Sequence, residues 1–508
     1  MNTYRSTNTS LTFVSPGRWP WQGSLAQRLL AHSAGGSIVS GMTAPPTAEN
    51  GTKRSFTVRA GEASGERIRL SVYDMLIGLV YTPRTFFYRQ TLDGAALRDS
   101  LSRTLRNFPM VSGRMKKDSD GRLSVFCDDA GVHFVETTAS APMPDHGPHH
   151  TAKKGINRYL SQVNPLRVVD HDTPLFTVKL THMKGGGSVL GVTMNHAVAD
   201  GSAYMRFLES WSREHRGLGY AKPGHDRGLI DALADPVARD ARSDSAHFTV
   251  TRRGRKSAFV ARVLFSSIAN VTTMVTTSFT AAELAAMKSA AMADLAGTKR
   301  WVSTNDALTA HLWKVLGALR ARPDTSQERL GLLADFRSFV GGAVPDDYWG
   351  NTVTNTRPGM SAAELRSRPL GEVASAVRSG YAENTEEKIR RETAFLCAQY
   401  EAGRLKRVLP TMTLDKFENT IVINNWSKLP FYDLDFGQDT PFWYDVPALP
   451  TPWTVLLAPT PADRAGGRDV HMAVPRALAR TLREPSWTDR FHAYADSAEA
   501  CPLTFGNG

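Results

Sequence analysis

The chain has 508 residues, 41% of them apolar and 22% charged, with ten tryptophans, a composition that suits a globular protein of two or three domains rather than a disordered or fibrous one. No apolar run reaches the length of a membrane span, and Cys127, Cys397 and Cys501 are too few and scattered for a zinc site or a disulfide framework, which favours a reducing compartment. The net charge of +12 admits a polyanionic partner, but no helix-turn-helix, zinc-finger or RNA-recognition signature accompanies it, so nucleic acid is not expected.

Residues 1–60 read as a disordered leader. The first 41 carry Arg5, Arg18 and Arg28, many serines and no acid, the composition of an organelle transit peptide; a start at Met42 is the alternative. Residues 43–60, rich in Pro, Thr and Ala, read as a flexible connection. Globular sequence begins near Phe56. Aromatic and β-branched content predicts a strand over 82–88. Apolar residues at 97, 101, 105 and 108 predict a helix ended by Pro109. Residues 139–154 read as a Pro- and His-rich loop. His146, His149 and His150 have no cysteine partner there and only Asp145 close by, so no metal is expected.

The informative stretch is 188–211. Val189, Leu190, Val192 and Met194 make an apolar run of strand length after the Gly185–Gly187 turn signal, and the run ends in Asn195-His196. After Asp200-Gly201, Ser202 is the expected N-cap of a helix whose Tyr204, Phe207, Leu208 and Trp211 fall at i, i+3, i+4 and i+7. His196 thus leaves the end of a buried strand beside a turn, a position suited to proton transfer. H-x-x-x-D-G alone is a weak signal, and a satisfied histidine beside a tight turn reads equally well.

Residues 216–257 are polar and Gly-containing, closing in Arg252-Arg253-Gly254-Arg255-Lys256. They are the expected crossover linker between an N-terminal domain over 61–215 and a C-terminal domain over 258–508. In the second half the pattern predicts helices over 281–295 and 301–319, a strand over 330–336, a strand–aromatic loop–strand unit over 421–445, and a short helix over 476–483. The fold class expected is mixed α/β in two similar halves.

Several segments then match one family in the same order. The chain resembles the plant-type BAHD acyl-CoA-dependent acyltransferases, whose two signatures, H-x-x-x-D-G and D-F-G-W-G, correspond to His196-Ala-Val-Ala-Asp200-Gly201 and Asp435-Phe436-Gly437-Gln438-Asp439. Four weaker blocks agree: Thr82-Pro83 with Phe87-Tyr88; Phe108-Pro109 with Gly113-Arg114; Ser303 with Ala310-His311-Leu312-Trp313; and Asp335-Phe336-Arg337 followed by Tyr348-Trp349-Gly350-Asn351. The match spans roughly residues 66 to 490, and the first of these blocks is most similar to the hydroxycinnamoyltransferase branch.

The resemblance implies a two-domain, chloramphenicol-acetyltransferase-like fold of mixed sheets covered by helices, with a solvent channel at the domain interface. It implies an acyl-CoA co-substrate, no bound cofactor or metal, a small alcohol or amine acceptor, and a cytosolic monomer; the leader makes plastid or mitochondrion the alternative. His196 would be the general base, and Trp426 would donate to the acyl carbonyl. Asp200 and Arg337 would form a structural ion pair, and Asp435 would anchor a loop away from the chemistry. Lys288, Ser303 and Thr304 fall where the family contacts coenzyme A; Thr82, Arg84 and Phe417 fall in the acceptor pocket. Phe417 stands where the hydroxycinnamoyltransferase branch holds a carboxylate with arginine, so shikimate and quinate are not expected acceptors. Arg84 stands where that pocket has a small polar residue. D-F-G-W-G has become D-F-G-Q-D, and the family's T-S-W has become Asn424-Asn425-Trp426. The competing readings are a catalytically silent accessory protein of this fold and a condensation-type enzyme using a carrier-bound thioester.

Overall fold

The computed structural model describes residues 52–506 apart from 145–155, 238–244, 253, 255–257, 259–270, 416–418, 438, 447–448, 450 and 497–499. The expectations on the leader before residue 52, on His146, His149 and His150, on most of the 252–256 basic cluster and on Phe417 lie outside the described residues.

In chain order the first half holds β1 (Arg54–Val58), α1 (Val72–Leu76), β2 (Tyr81–Tyr88), α2 (Gly94–Leu105), β3 (Val132–Pro142), β4 (Phe176–Lys184), β5 (Ser188–Asn195) and α3 (Gly201–His215). The second half holds β6 (Thr272–Phe279), α4 (Ala281–Ala293), α5 (Thr304–Arg320), β7 (Gln327–Asp335) and β8 (Val353–Thr356). It continues with β9 (Thr420–Asn425), β10 (Trp443–Asp445), β11 (Thr454–Pro459) and β12 (Arg468–Pro475). One sheet has the strand order β1-β3-β4-β5-β2-β10, antiparallel except for the β3–β4 pair. The other runs β8-β7-β9-β11-β12-β6, with β7–β9 and β9–β11 parallel and two short strands at its margins. Each sheet has its own apolar core, so the chain is the mixed α/β, two-domain fold expected.

The crossing of the two halves had no local signature. β10 lies in the C-terminal half but pairs with Thr85–Phe87 of β2, and Phe431, Leu434, Phe436 and Tyr444 join the first core. Pairing across some 350 residues leaves no periodicity to read. Residues 216–257 are likewise more than a linker: Gly228–Asp231 is a helical turn, and Phe248–Val250 pairs with Val408–Pro410.

Helix boundaries moved for capping reasons. Asp200, not Ser202, caps α3, because its Oδ1 accepts from Ala203 N at 2.8 Å. The predicted face of α3 is nonetheless the buried one: Tyr204, Phe207, Leu208 and Trp211 all lie inside, each large apolar side chain contributing about 1.5–3 kcal/mol. α5 begins at Thr304 because Ser303 and Asp306 form a capping box, which leaves Trp301 outside and exposed. α2 ends at Leu105, before a separate turn Pro109–Ser112. β3 runs to Pro142, where a loop was expected from residue 139.

Candidate active site

Strand pairing places His196. Asn195 closes β5, its Nδ2 donating to Gly78 O at 3.0 Å, and the His196 amide donates to Val80 O at 2.8 Å. The half-buried ring is oriented from the other half of the molecule. Asn351 Nδ2 donates to both His196 O (2.8 Å) and Asp74 Oδ1 (2.7 Å). Those two acceptors fix which end of the amide is nitrogen, so Oδ1, 3.2 Å from His196 Nδ1, accepts a proton-bearing Nδ1. The lone pair is then on Nε2, the atom a base would use. Asp74 is held in turn by the capping box of α1, its Oδ2 accepting from Ser71 N at 2.9 Å. Arg227 stands 3.6 Å from Asp74. Gly350 is required here, since a Cβ would fall 1.4 Å from Arg227 Nη1.

Burial holds the His196 imidazole below the ordinary histidine range, with the Arg84 charge acting in the same direction; its own carbonyl, Asp200 and Asn351 only partly offset this. The resting ring is therefore neutral at pH 7.

Asp200 turns from the ring and into a cage. Besides Ala203 N it accepts from Thr352 N (3.0 Å), Thr352 Oγ1 (3.1 Å) and Arg337 Nη1 (3.2 Å). Arg337 also donates to Asp335 Oδ2 (2.5 Å) and Gly350 O (2.8 Å). Burial pushes the Asp200 carboxyl up, but Arg337 and the two backbone amides prevail and hold it below the ordinary carboxylate range. The structure thus brings His196, Asp200 and Arg337 to one turn, with Asp200 bonded to backbone and guanidinium.

Trp426 follows β9, and its Nε1 faces that turn, 3.9 Å from where a Cβ on Gly201 would stand. Arg84 lies behind it, buried, with its guanidinium carbon 5.3 Å from the Trp426 ring centroid. Thr82, on the same strand, donates to Met194 O at 3.2 Å.

The other expected residues lie elsewhere. Asp435 sits at the far end of α3, about 20 Å along a fifteen-residue helix. There it accepts from Arg216 Nη1 at 3.1 Å and from Gly437 N at 2.7 Å, while Phe436 packs on Trp211, ring centroids 4.9 Å apart. Lys288 and Thr304 line one cleft of about 470 Å³ with Ser289, Met292 and Arg468. Ser303 does not line it, because its hydroxyl is engaged with Asp306.

Sequence reasoning missed Asn351, Asp74 and Arg227. Asn351 falls in the family-like block Tyr348-Trp349-Gly350-Asn351, which carries no sign of its role, and Asp74 is legible only as the third residue after a serine, which signals a cap and nothing more. Among the described residues no group of three or more His, Cys, Asp or Glu could hold a metal ion, and no helix is long and apolar enough to cross a membrane.

Residues 51–483 match the model of the Transferase family. Shikimate O-hydroxycinnamoyltransferase of Nicotiana tabacum is 27% identical over 423 residues, covering 81% of this chain and 93% of that protein. Putrescine hydroxycinnamoyltransferase 1 of Oryza sativa subsp. japonica is 29% identical over 459 residues, covering 84% and 96%. In fold the chain is similar to F. graminearum TRI101 complexed with coenzyme A and T-2 mycotoxin (TM-score 0.66, 17% identity, 87% of this chain and 99% of that one). It is also similar to vinorine synthase (TM-score 0.62, 20% identity, 85% and 96%).

Proposed function

Because the chain belongs to the Transferase family, the BAHD acyl-CoA-dependent acyltransferases, we propose that it moves an acyl group from a coenzyme A thioester to a hydroxyl or amine of a small acceptor, with His196 as general base. The observation that supports this reading is the His196–Asn351 geometry, which engages Nδ1 with Asn351 Oδ1 and so puts the lone pair on Nε2, at the end of a strand. Nε2 takes the acceptor's O–H or N–H proton as that oxygen or nitrogen attacks the thioester carbonyl. The carbonyl pair moves onto oxygen, and the Trp426 indole N–H donates to it. When the C–S bond breaks, the departing thiolate takes the proton back from His196, so the products are acylated acceptor and free coenzyme A.

The donor proposed is hydroxycinnamoyl-CoA or another aromatic or short acyl-CoA. The several relatives named hydroxycinnamoyltransferases support the first, while their named acceptors, among them shikimate, putrescine and agmatine, range from acid to amine. Lys288, Thr304 and Arg468 line the cleft proposed to take the coenzyme's phosphates, a use that suits the basic net charge.

The test is free-thiol release from acetyl-, malonyl-, benzoyl- and p-coumaroyl-CoA with pooled alcohols and amines, wild type and His196→Ala side by side. Release that depends on acceptor and disappears in the folded variant is expected. No release from any donor, or equal release by both proteins, would remove His196 as the base.

A further inference from the structure

Arg84 lies in the middle of β2, opposite Val192 of β5, and is 1% exposed. Its Nε and Nη1 are buried without a partner at ordinary hydrogen-bond geometry, and the cation is favoured by the adjacent Tyr204 side chain and by Asp200 beyond ion-pair distance. Among the described residues no carboxylate pairs with it, whereas Arg227 has Asp74 and Arg337 has Asp200. Its surroundings are aromatic: the guanidinium carbon is 4.1 Å from the Tyr204 ring centroid, 5.3 Å from Trp426 and 5.8 Å from Phe431. Ring faces attract a cation, but such contacts recover only part of what burying an uncompensated charge costs. A chain that keeps this cost next to its candidate site gains something from it.

Position indicates what. Val80, which accepts the His196 amide, immediately precedes β2, and Arg84 is four residues further on, about 13 Å at Cα. Its side chain reaches Trp426, whose Nε1 faces the turn after His196. Trp426 therefore touches both the cation and the turn that carries the base.

We propose that Arg84 is an electrostatic positioning residue for acyl transfer: its uncompensated charge, held against the Trp426 ring, strengthens the indole N–H as a donor and stabilises the oxyanion formed on the thioester carbonyl. This rests on the transferase reading above. Charge closes only in the transition state. The acceptor's proton goes to His196 and the carbonyl pair goes to oxygen, and that oxygen is the anion Arg84 lacks at rest; on C–S cleavage the pair returns to the carbonyl and the thiolate takes the proton. A preorganised charge in a low-dielectric site acts over this range without contact.

The test uses the full chain as wild type, Arg84→Met and Arg84→Lys. Arg84→Met should lower kcat roughly tenfold or more with KM for acyl-CoA changed less than about twofold, and should raise Tm. Arg84→Lys, which restores the charge without the planar fork, should recover part of kcat. A second readout needs no turnover: the NMR titration of the His196 ring, which faces Arg84 from β2, Asp200 from the head of α3 with Arg337 beside it, and Asp74 with Arg227 behind Asn351. It should move upward in Arg84→Met and stay near wild type in Arg84→Lys.

An unchanged kcat, a loss of Tm in Arg84→Met, or a KM effect confined to acceptors bearing a carboxylate would each overturn the proposal, the last making Arg84 an acceptor-binding residue. An unmoved titration in an enzyme that turns over overturns this inference alone. A wild type that turns over nothing overturns the transferase reading with it.

Discussion

The two signature aspartates stand at opposite ends of one helix and live in different physics. Asp200 at the head of α3 is 2% exposed and accepts from Ala203, Thr352 and Arg337. Asp435 at the tail pairs with Arg216 across partly open surface, their side chains 29% and 30% exposed. At the buried end every bond is made in a medium that penalises its loss; at the open end water replaces what is lost. The contrast predicts that substitutions cost much at the buried end and little at the open one. Phe436 at the tail is wedged against Trp211 and Tyr88.

The comparison is most easily broken at the head. His196→Ala should lower kcat by about 10²–10⁴-fold with Tm unchanged, since the ring is half-buried and Asn351, its side-chain partner among the described residues, keeps two other bonds. Asp200→Ala should destabilise by about 1–3 kcal/mol in urea unfolding, because the buried Thr352 amide loses its acceptor and α3 loses its cap, while Arg337 keeps only the exposed Asp335 carboxylate. The same group gives a pH signature. Its folded pKa is depressed, so its contribution is complete above the unfolded carboxylate value near 4 and is lost as pH falls through the lower folded value. Asn351→Ala sits between. It releases His196 Nδ1 and leaves Asp74 short of a donor, at about 1–3 kcal/mol of stability, and should lower kcat more than it raises KM. The tail should barely respond: Asp435→Asn is expected to cost no more than about 1 kcal/mol, less at high salt, with kcat unchanged. An Asp435 variant as damaging as the Asp200 one would erase the distinction.

What was legible in the sequence follows the same division. The strand before His196 was readable as an apolar run after a glycine turn, because it is buried along its whole length, and the face of α3 because burial imposes a period of 3.6 on a helix. So was the pairing of Asp200 with Arg337, though only through family resemblance. The partner that orients His196 was not, because Asn351 comes from 155 residues away and an asparagine carries no periodic signal. The cap was misassigned to Ser202, since two capping residues flank Gly201 and only geometry chooses between them. The return of β10 to the first sheet was invisible for the same reason as Asn351: long-range pairing writes nothing local. Arg84 read as an acceptor-pocket residue, and its aromatic surroundings, drawn from β2, α3 and the loop after β9, had no local signature.

The most direct test is the pH dependence of kcat/KM on its acid side. A base must be neutral to act, so the rate falls as pH drops through its pKa, and burial places that pKa below the ordinary histidine value of about 6.5. Wild type should therefore show an acid limb inflecting below pH 6.5, absent from the residual rate of His196→Ala. An inflection above 6.5, or the same limb in both proteins, would contradict the assignment of a half-buried, neutral His196 as the base.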